Sequence, residues 1–173
     1  MKQDFDNIYH EVAPGVYRYL RRLMESRLQA EDILQETFLK LHLQLDAGVR
    51  IENPRAWLFQ VATNLAKNKK RDEMRSALRE ERYSAPPQVV DFHSRLDDQQ
   101  IIRRVLAQLS PRMRQALLLF SEGFSYREIA VIAGIETANV GPLLRRAREA
   151  FKQYYEGYRY ERERNRPERR RSM

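Results

Sequence analysis

A chain of 173 residues with 32 lysines and arginines against 24 aspartates and glutamates carries a formal net charge of +8, which points to an anionic partner, most often nucleic acid. Its length allows one domain or two small ones, and an apolar fraction of 42% supplies packed cores, which excludes wholesale disorder. The absence of cysteine excludes disulfides, thiolate metal sites and cysteine nucleophiles.

In chain order, the first apolar series is Phe5, Ile8, Tyr9, Val12, Val16, Tyr17, Leu20, Leu23 and Met24 at helical spacing. Pro14-Gly15 interrupts it, and a kink or break is expected there. Ile33, Leu34, Phe38, Leu41 and Leu45 define a second helix ending at Asp46-Ala47-Gly48. Asn53-Pro54 then reads as an N-cap with proline in the first helical position. The third helix carries Trp57, Leu58, Val61, Ala62 and Leu65 and turns basic toward Arg82. The stretch SAPPQVVDFHS lacks helical periodicity and contains adjacent prolines, so residues 84–94 are the expected flexible linker. Beyond it, Ile101, Ile102, Val105, Leu106 and Leu109 form one amphipathic face, and Ser110-Pro111 opens another helix. Ser125-Tyr126-Arg127-Glu128 has the spacing of a capping box, and that helix stops at Gly134. Either Thr137 or Asn139 caps the last helix, which buries Leu143, Leu144, Ala147 and Phe151. The expected fold is all-α: two small helical domains joined by a flexible linker, the second containing a helix-turn-helix.

The charge is unevenly spread. From Gly157 onward seven arginines face three glutamates, so half of the net charge lies in a basic tail. The histidines (His10, His42, His93) are far apart and show no metal-ligand spacing. No apolar run approaches the ~18–20 residues of a membrane span, and MKQDFDNIYHEV is too polar for a secretory signal. A cytoplasmic protein without cofactor, metal, catalytic site or membrane insertion is expected.

Three segments stand out. Ser125 to Arg148 has the layout of a helix-turn-helix: a short helix stopped by glycine, a brief turn, then a helix with small polar residues at its start and arginines further on. In that geometry the polar start meets base edges in a major groove and the arginines reach phosphates; an ordinary helix pair in a bundle is the alternative. In NPRAWLFQVATNLAKNKKR, aromatic and amide residues precede Lys67, Lys69, Lys70 and Arg71. That mixture suits single-stranded nucleic acid, where rings stack on bases and cations meet phosphates. Equally, Trp57 and Phe59 belong to a core and the cations to a helix end favoured by the macrodipole. Finally, AEDILQETF sets Asp32, Gln35 and Glu36 opposite a buried stripe of Ile33, Leu34 and Phe38, either as a solvated face or as a protein-docking face.

Taken together, DILQETFLKLH, NPRAWLFQVATNLAKNKKRD, LSPRMRQALLLFSEGFSYREIA and VIAGIETANVGPLLRRAREAF, in that order, resemble the sigma factors of the extracytoplasmic-function group, small bacterial transcription-initiation subunits of the sigma-70 family. The similarity runs from about Phe5 to Tyr155. It implies a non-enzymatic protein that binds core RNA polymerase and directs promoter recognition and DNA melting. It implies a core-binding and minus-ten domain over 1–83, the linker 84–94, a minus-thirty-five domain over 95–156 and a basic tail over 157–173. It assigns Asp32, Gln35 and Glu36, with Leu117 and Phe120, to polymerase. Trp57, Leu58, Ala62 and Asn64 match the block that supports promoter melting and minus-ten recognition, and Asn53, Lys67, Lys69, Lys70 and Arg71, from the basic segment read above, join them as expected DNA-binding residues. The loop Asp46 to Glu52 corresponds to the segment that captures a flipped base. Arg127, Thr137, Ala138, Asn139, Arg145 and Arg146 are assigned to duplex DNA. An anti-sigma factor is an implied partner.

This chain departs from the family pattern in two places. Asn68 stands where aspartate is common, and Gly141-Pro142-Leu143 replaces a Lys-Ser-Arg run in the recognition helix. Contacts from that run are therefore not carried over. The rival reading is a stand-alone helix-turn-helix regulator, which has no need of an acidic docking face followed by a base-stacking segment.

Overall fold

The structure, a computed structural model, describes residues 2–24, 26–80 and 98–164, and all their regular elements are helices. The expected linker, 84–94, lies outside the described residues.

Helices α1 (Lys2–Leu23), α2 (Arg27–Asp46) and α3 (Pro54–Glu80) pack on one another as a bundle. The α1 stripe Val12, Val16, Tyr19 and Leu20 is buried because its spacing puts those side chains on one face. Of the kink or break expected at Pro14-Gly15, the break does not occur: α1 continues through both residues. Proline removes one backbone donor, but Pro14 faces outward while Val12, Ala13 and Val16 anchor both flanks in the core. Ser26 caps α2, its Oγ accepting the Gln29 N–H at 3.4 Å. Asn53 caps α3 as its sequence suggests, Oδ1 accepting the Ala56 N–H at 3.0 Å. Between α1 and α3 the buried Tyr19 hydroxyl meets Thr63 Oγ1 at 2.8 Å, so neither polar group is buried unpaired. Burial also pushes the Tyr19 phenol well above its ordinary pKa.

The second half holds α4 (Asp98–Gln108), α5 (Pro111–Ser121), α6 (Tyr126–Ala133) and α7 (Thr137–Arg164). Ser110 caps α5, accepting from the Met113 N–H at 3.4 Å. The capping box at Ser125 and Glu128 is formed on both sides. Gly134 ends α6 at φ 69°, a left-handed conformation that favours glycine. Val140, Leu144 and Ala147 of α7 are buried where it crosses α4, α5 and α6.

Two details of α7 differ from expectation. Neither Thr137 nor Asn139 is its cap. The helix starts at Thr137, and the Asn139 N–H bonds the Glu136 carbonyl at 3.0 Å, so both residues sit inside the first turn. Pro142 is consequently beyond that turn and gives no N–H to the Ala138 carbonyl. The helix also runs past Gly157 to Arg164, so the first part of the basic tail is a continuation of the recognition helix. Residues 165–173 lie outside the described residues.

The two halves are packed together, α3 against α6 and α1 against α5. Phe59 of α3 is 1% exposed, its ring 5.3 Å from Tyr19 and 4.7 Å from Phe124. Arg55 lies over the Phe124 ring at 4.1 Å and donates to the Glu122 carbonyl, while the Glu122 carboxylate pairs with Arg18 at 3.1 Å. Gly15 lies at this contact, and a Cβ there would meet Glu122 Oε2 at 3.4 Å, an ordinary van der Waals distance, so the packing leaves room for a small side chain.

Candidate nucleic-acid and polymerase interfaces

On α2, Ile33, Thr37, Phe38 and Leu41 face the core, which turns Asp32, Gln35 and Glu36 outward, all exposed. Three leucines accompany them in solvent: Leu28 is 71%, Leu39 56% and Leu43 57% exposed. Leu28, Asp32, Gln35, Leu39 and Leu43 follow one another at three- and four-residue steps, so they share a face. Sequence reading found the polar members and missed the leucines, although the same helical spacing continued through them. An outward stripe mixing acid, amide and leucine is suited to a protein partner.

On α3, Asn53, Trp57, Gln60, Asn64, Lys67 and Arg71 likewise line up at alternating four- and three-residue steps. Asn64, Lys67, Lys69 and Arg71 are exposed, and Trp57 and Lys70 are half-buried. Phe59, left open between core and base-stacking roles, is core. The stripe is largely the seam with α6. Asn53 Nδ2 donates to Glu128 Oε1 at 3.3 Å, Gln60 Nε2 to the Val131 carbonyl at 3.5 Å, and Lys67 Nζ to the Ala133 carbonyl at 3.3 Å. Loss of water around Lys67 and, secondly, the nearby Arg112 hold its ammonium below the ordinary lysine range. In this arrangement α6 therefore packs along the Asn53, Gln60 and Lys67 side of the surface assigned to melted DNA, while Asn64, Lys69 and Arg71 stay exposed. The neighbouring loop, Asp46 to Glu52, is exposed apart from Ile51, and turns at Gly48.

The helix-turn-helix comprises α6, the Gly134 turn and the start of α7. Ile129 and Leu144 are fully buried between them, which holds the pair, and Thr137, Ala138 and Asn139 project to solvent. Arg127, Arg145 and Arg146 are exposed, with Arg146 Nε donating to the Pro142 carbonyl at 3.4 Å. Leu117 is half-buried. Phe120 is 38% exposed and lies under Arg148 at 4.5 Å.

Glu128 ties the capping box to the seam. The Ser125 N–H and then its hydroxyl, followed by Asn53 and Arg55, hold the carboxyl below the ordinary carboxylate range. A carboxylate depressed in the folded state stabilises above its unfolded pKa and loses that contribution as pH falls through the folded pKa. Thermal melting followed across the acid range should thus fall less steeply for Glu128→Gln than for the unaltered chain. Parallel curves would remove Glu128 from the acid response.

Among the described residues no cluster of histidine and carboxylate side chains is arranged for a metal ion, and no helix is long and apolar enough to cross a membrane. The family model for sigma-70 region 2 matches residues 8–76, and the model for sigma-70 region 4 matches residues 99–151. The chain is 29% identical over 160 residues to the ECF RNA polymerase sigma factor SigM of Bacillus subtilis, covering 87% of this chain and 94% of that one. It is 31% identical over 150 residues to the ECF RNA polymerase sigma factor SigL of Mycobacterium tuberculosis, covering 84% and 85%. Among solved structures, the sigma factor RpoE in complex with the anti-sigma factor NepR, from Bartonella quintana, superposes with a TM-score of 0.75 at 24% identity over 89% of this chain and 98% of that one. CnrH in complex with the cytosolic domain of CnrY gives 0.66 at 19% identity, over 91% and 90%. These likenesses bear on the fold alone. With region 2 on α1–α3 and region 4 on α4–α7, and with a curated relative above 30% identity over most of both chains, this chain belongs to the extracytoplasmic-function sigma factors of the sigma-70 family.

Proposed function

We propose that this chain binds core RNA polymerase through the outward face of α2, with Leu117 and Phe120 as a second contact, and directs the enzyme to promoters. The helix-turn-helix reads the upstream duplex through Thr137, Ala138 and Asn139, while Arg127, Arg145 and Arg146 hold phosphates. Asn53, Trp57, Asn64, Lys67, Lys69, Lys70 and Arg71 receive the melted strand. Polymerase performs the chemistry, and the protein acts in the cytoplasm beside it. The observation that carries this reading is the presence on one chain of an acid–leucine face on α2, an amide–tryptophan–lysine stripe on α3 and an arginine-flanked helix-turn-helix. A stand-alone regulator uses only the last. Because the structure of RpoE contains the anti-sigma factor NepR, an anti-sigma partner that holds this chain inactive belongs to the same reading. Transcription in vitro tests it: purified core polymerase plus this chain should initiate from its own promoters, and neither should do so alone.

Asp32→Ala combined with Gln35→Ala should weaken binding to core polymerase while altering stability by less than ~0.5 kcal/mol, since both side chains are exposed and outside the caps. A folded double variant that binds core polymerase undiminished removes the α2 assignment. Asn139→Ala should change the preferred upstream base at one position by roughly 1–3 kcal/mol. Since Asn139 does not cap α7, the melting temperature should stay unchanged. Selection from a randomised upstream element, beside a melting curve, reads both.

A further inference from the structure

The outward side of α7 that begins at Ala138 and Asn139 and reaches Arg145 and Arg146 is apolar in its middle. Pro142 stands four residues after Ala138 and three after Asn139, and three and four residues before Arg145 and Arg146. All five therefore share one side of the helix. Pro142 is exposed, and its ring carries neither a donor nor an acceptor for a base edge. Beside it, Gly141 contributes no side chain, and the Tyr126 ring fills the adjoining space: a Cβ on Gly141 would meet Tyr126 Cε2 at 3.5 Å. Tyr126 is 43% exposed and packs on Phe120 with ring centroids 6.3 Å apart. The Ala138 methyl, the Pro142 ring and the Tyr126 ring thus form one outward apolar patch, with the exposed cations Arg127, Arg145 and Arg146 at its borders. A cationic border makes the patch continuous with a duplex-binding surface and suits a polyanion better than an apolar protein or lipid surface.

We infer that Pro142, backed by Ala138 and Tyr126, selects a thymine in the upstream duplex through contact with its C5-methyl group. The inference rests on the reading of α7 as the helix that enters the major groove and supplies the base that its middle requires. In that groove the edges of adenine, guanine and cytosine present hydrogen-bond donors and acceptors, and thymine alone presents a methyl group. An apolar patch laid against the other edges removes their water and returns no hydrogen bond, which is unfavourable. Against the thymine methyl the same patch loses nothing and buries apolar surface. Pro142 is then a specificity-determining residue, and Tyr126 a positioning residue whose ring walls the methyl where Gly141 leaves room.

Holoenzyme assembled from core polymerase and the full chain, offered a randomised upstream element, tests the inference. One position should return a T·A pair. Replacing that thymine by deoxyuridine removes the methyl and keeps every hydrogen-bonding group, and should weaken binding about fourfold, the effect of burying one methyl-sized group. Pro142→Ser should make the thymine and deoxyuridine duplexes bind alike, and Tyr126→Ser should cut the discrimination at least twofold. Pro142→Ser restores a helix N–H and both residues are exposed, so melting curves should show both variants folded. The base preference set by Asn139 should persist in both. A selected element in which no position distinguishes thymine from deoxyuridine overturns the inference while leaving α7 as the reading helix. Discrimination that survives Pro142→Ser also overturns it, and weaker core-polymerase binding by that variant then assigns the patch to polymerase. If no upstream sequence is selected at all, the reading of the helix-turn-helix fails, and the inference fails with it.

Discussion

Replacing Phe59 by alanine should cost about 3–5 kcal/mol of stability, the range for deleting a fully buried aromatic ring. The ring is 1% exposed and sits between Tyr19 and Phe124, so its loss leaves a cavity that neither half can fill alone. Edge-to-face contact with Phe124 contributes about 0.5–1.5 kcal/mol beyond the buried area. For a domain of this size such a loss approaches half of the whole margin of stability. Denaturation followed through Trp57, the one tryptophan of the chain, measures it directly. Asn64→Ala on the exposed side of the same helix is the reference and should fall within ~0.5 kcal/mol of the unaltered protein. A Phe59→Ala cost below ~1 kcal/mol would place the ring outside the core.

Arg55→Ala should loosen the seam and raise the apparent affinity for a single-stranded oligonucleotide about tenfold. Arg55 supplies two contacts across it, the Phe124 ring at 4.1 Å and the Glu122 carbonyl. Cation–π contacts contribute ~0.5–2 kcal/mol and hydrogen bonds from charged groups ~1.5–3 kcal/mol. Because the residue is half-exposed, the lower part of both ranges applies. A coupling of about 1–3 kcal/mol corresponds to a 5–150-fold shift between packed and parted halves. Apparent affinity scales with the fraction of molecules whose α3 stripe is uncovered. Fluorescence anisotropy with a labelled oligonucleotide and small-angle scattering read the two consequences: tighter binding and a larger radius of gyration. Phe124→Leu, which weakens the same contact from the other half, should act in the same direction. If both variants bind the oligonucleotide as the unaltered protein does, the packing of α6 on α3 does not limit access.

Most of the helices were legible because their signals are local. Asn53-Pro54, Ser110-Pro111 and the Ser125–Glu128 box lie within one turn of the helices they start, and each forms the expected cap. The order of the polymerase-like and DNA-like segments was also a one-dimensional property, and family membership followed from it. The misreadings share a different cause. Pro14 weighs against a helix when judged by its neighbours, but α1 is held on both sides of it by burial against α2 and α3. Gly157 looked like the start of a tail, yet α7 runs through it, with Phe151 stacked on Tyr155 at 6.1 Å one turn before.

From the sequence alone came the all-α class and the helix starts, since periodicity and caps act over a few residues, while the resemblance carried by the ordered motifs implied the family and the residues assigned to polymerase and DNA. Only the tertiary structure decided that Phe59 is core, that Asn139 lies inside its helix, that Leu28, Leu39 and Leu43 join Asp32 on one outward face, and that α6 lies across the α3 stripe. The contact between Arg55 and Glu122 spans 67 residues of chain. No helical period or capping pattern encodes such a contact, because its free energy arises from shape and charge matching between two surfaces that exist only after each half has folded.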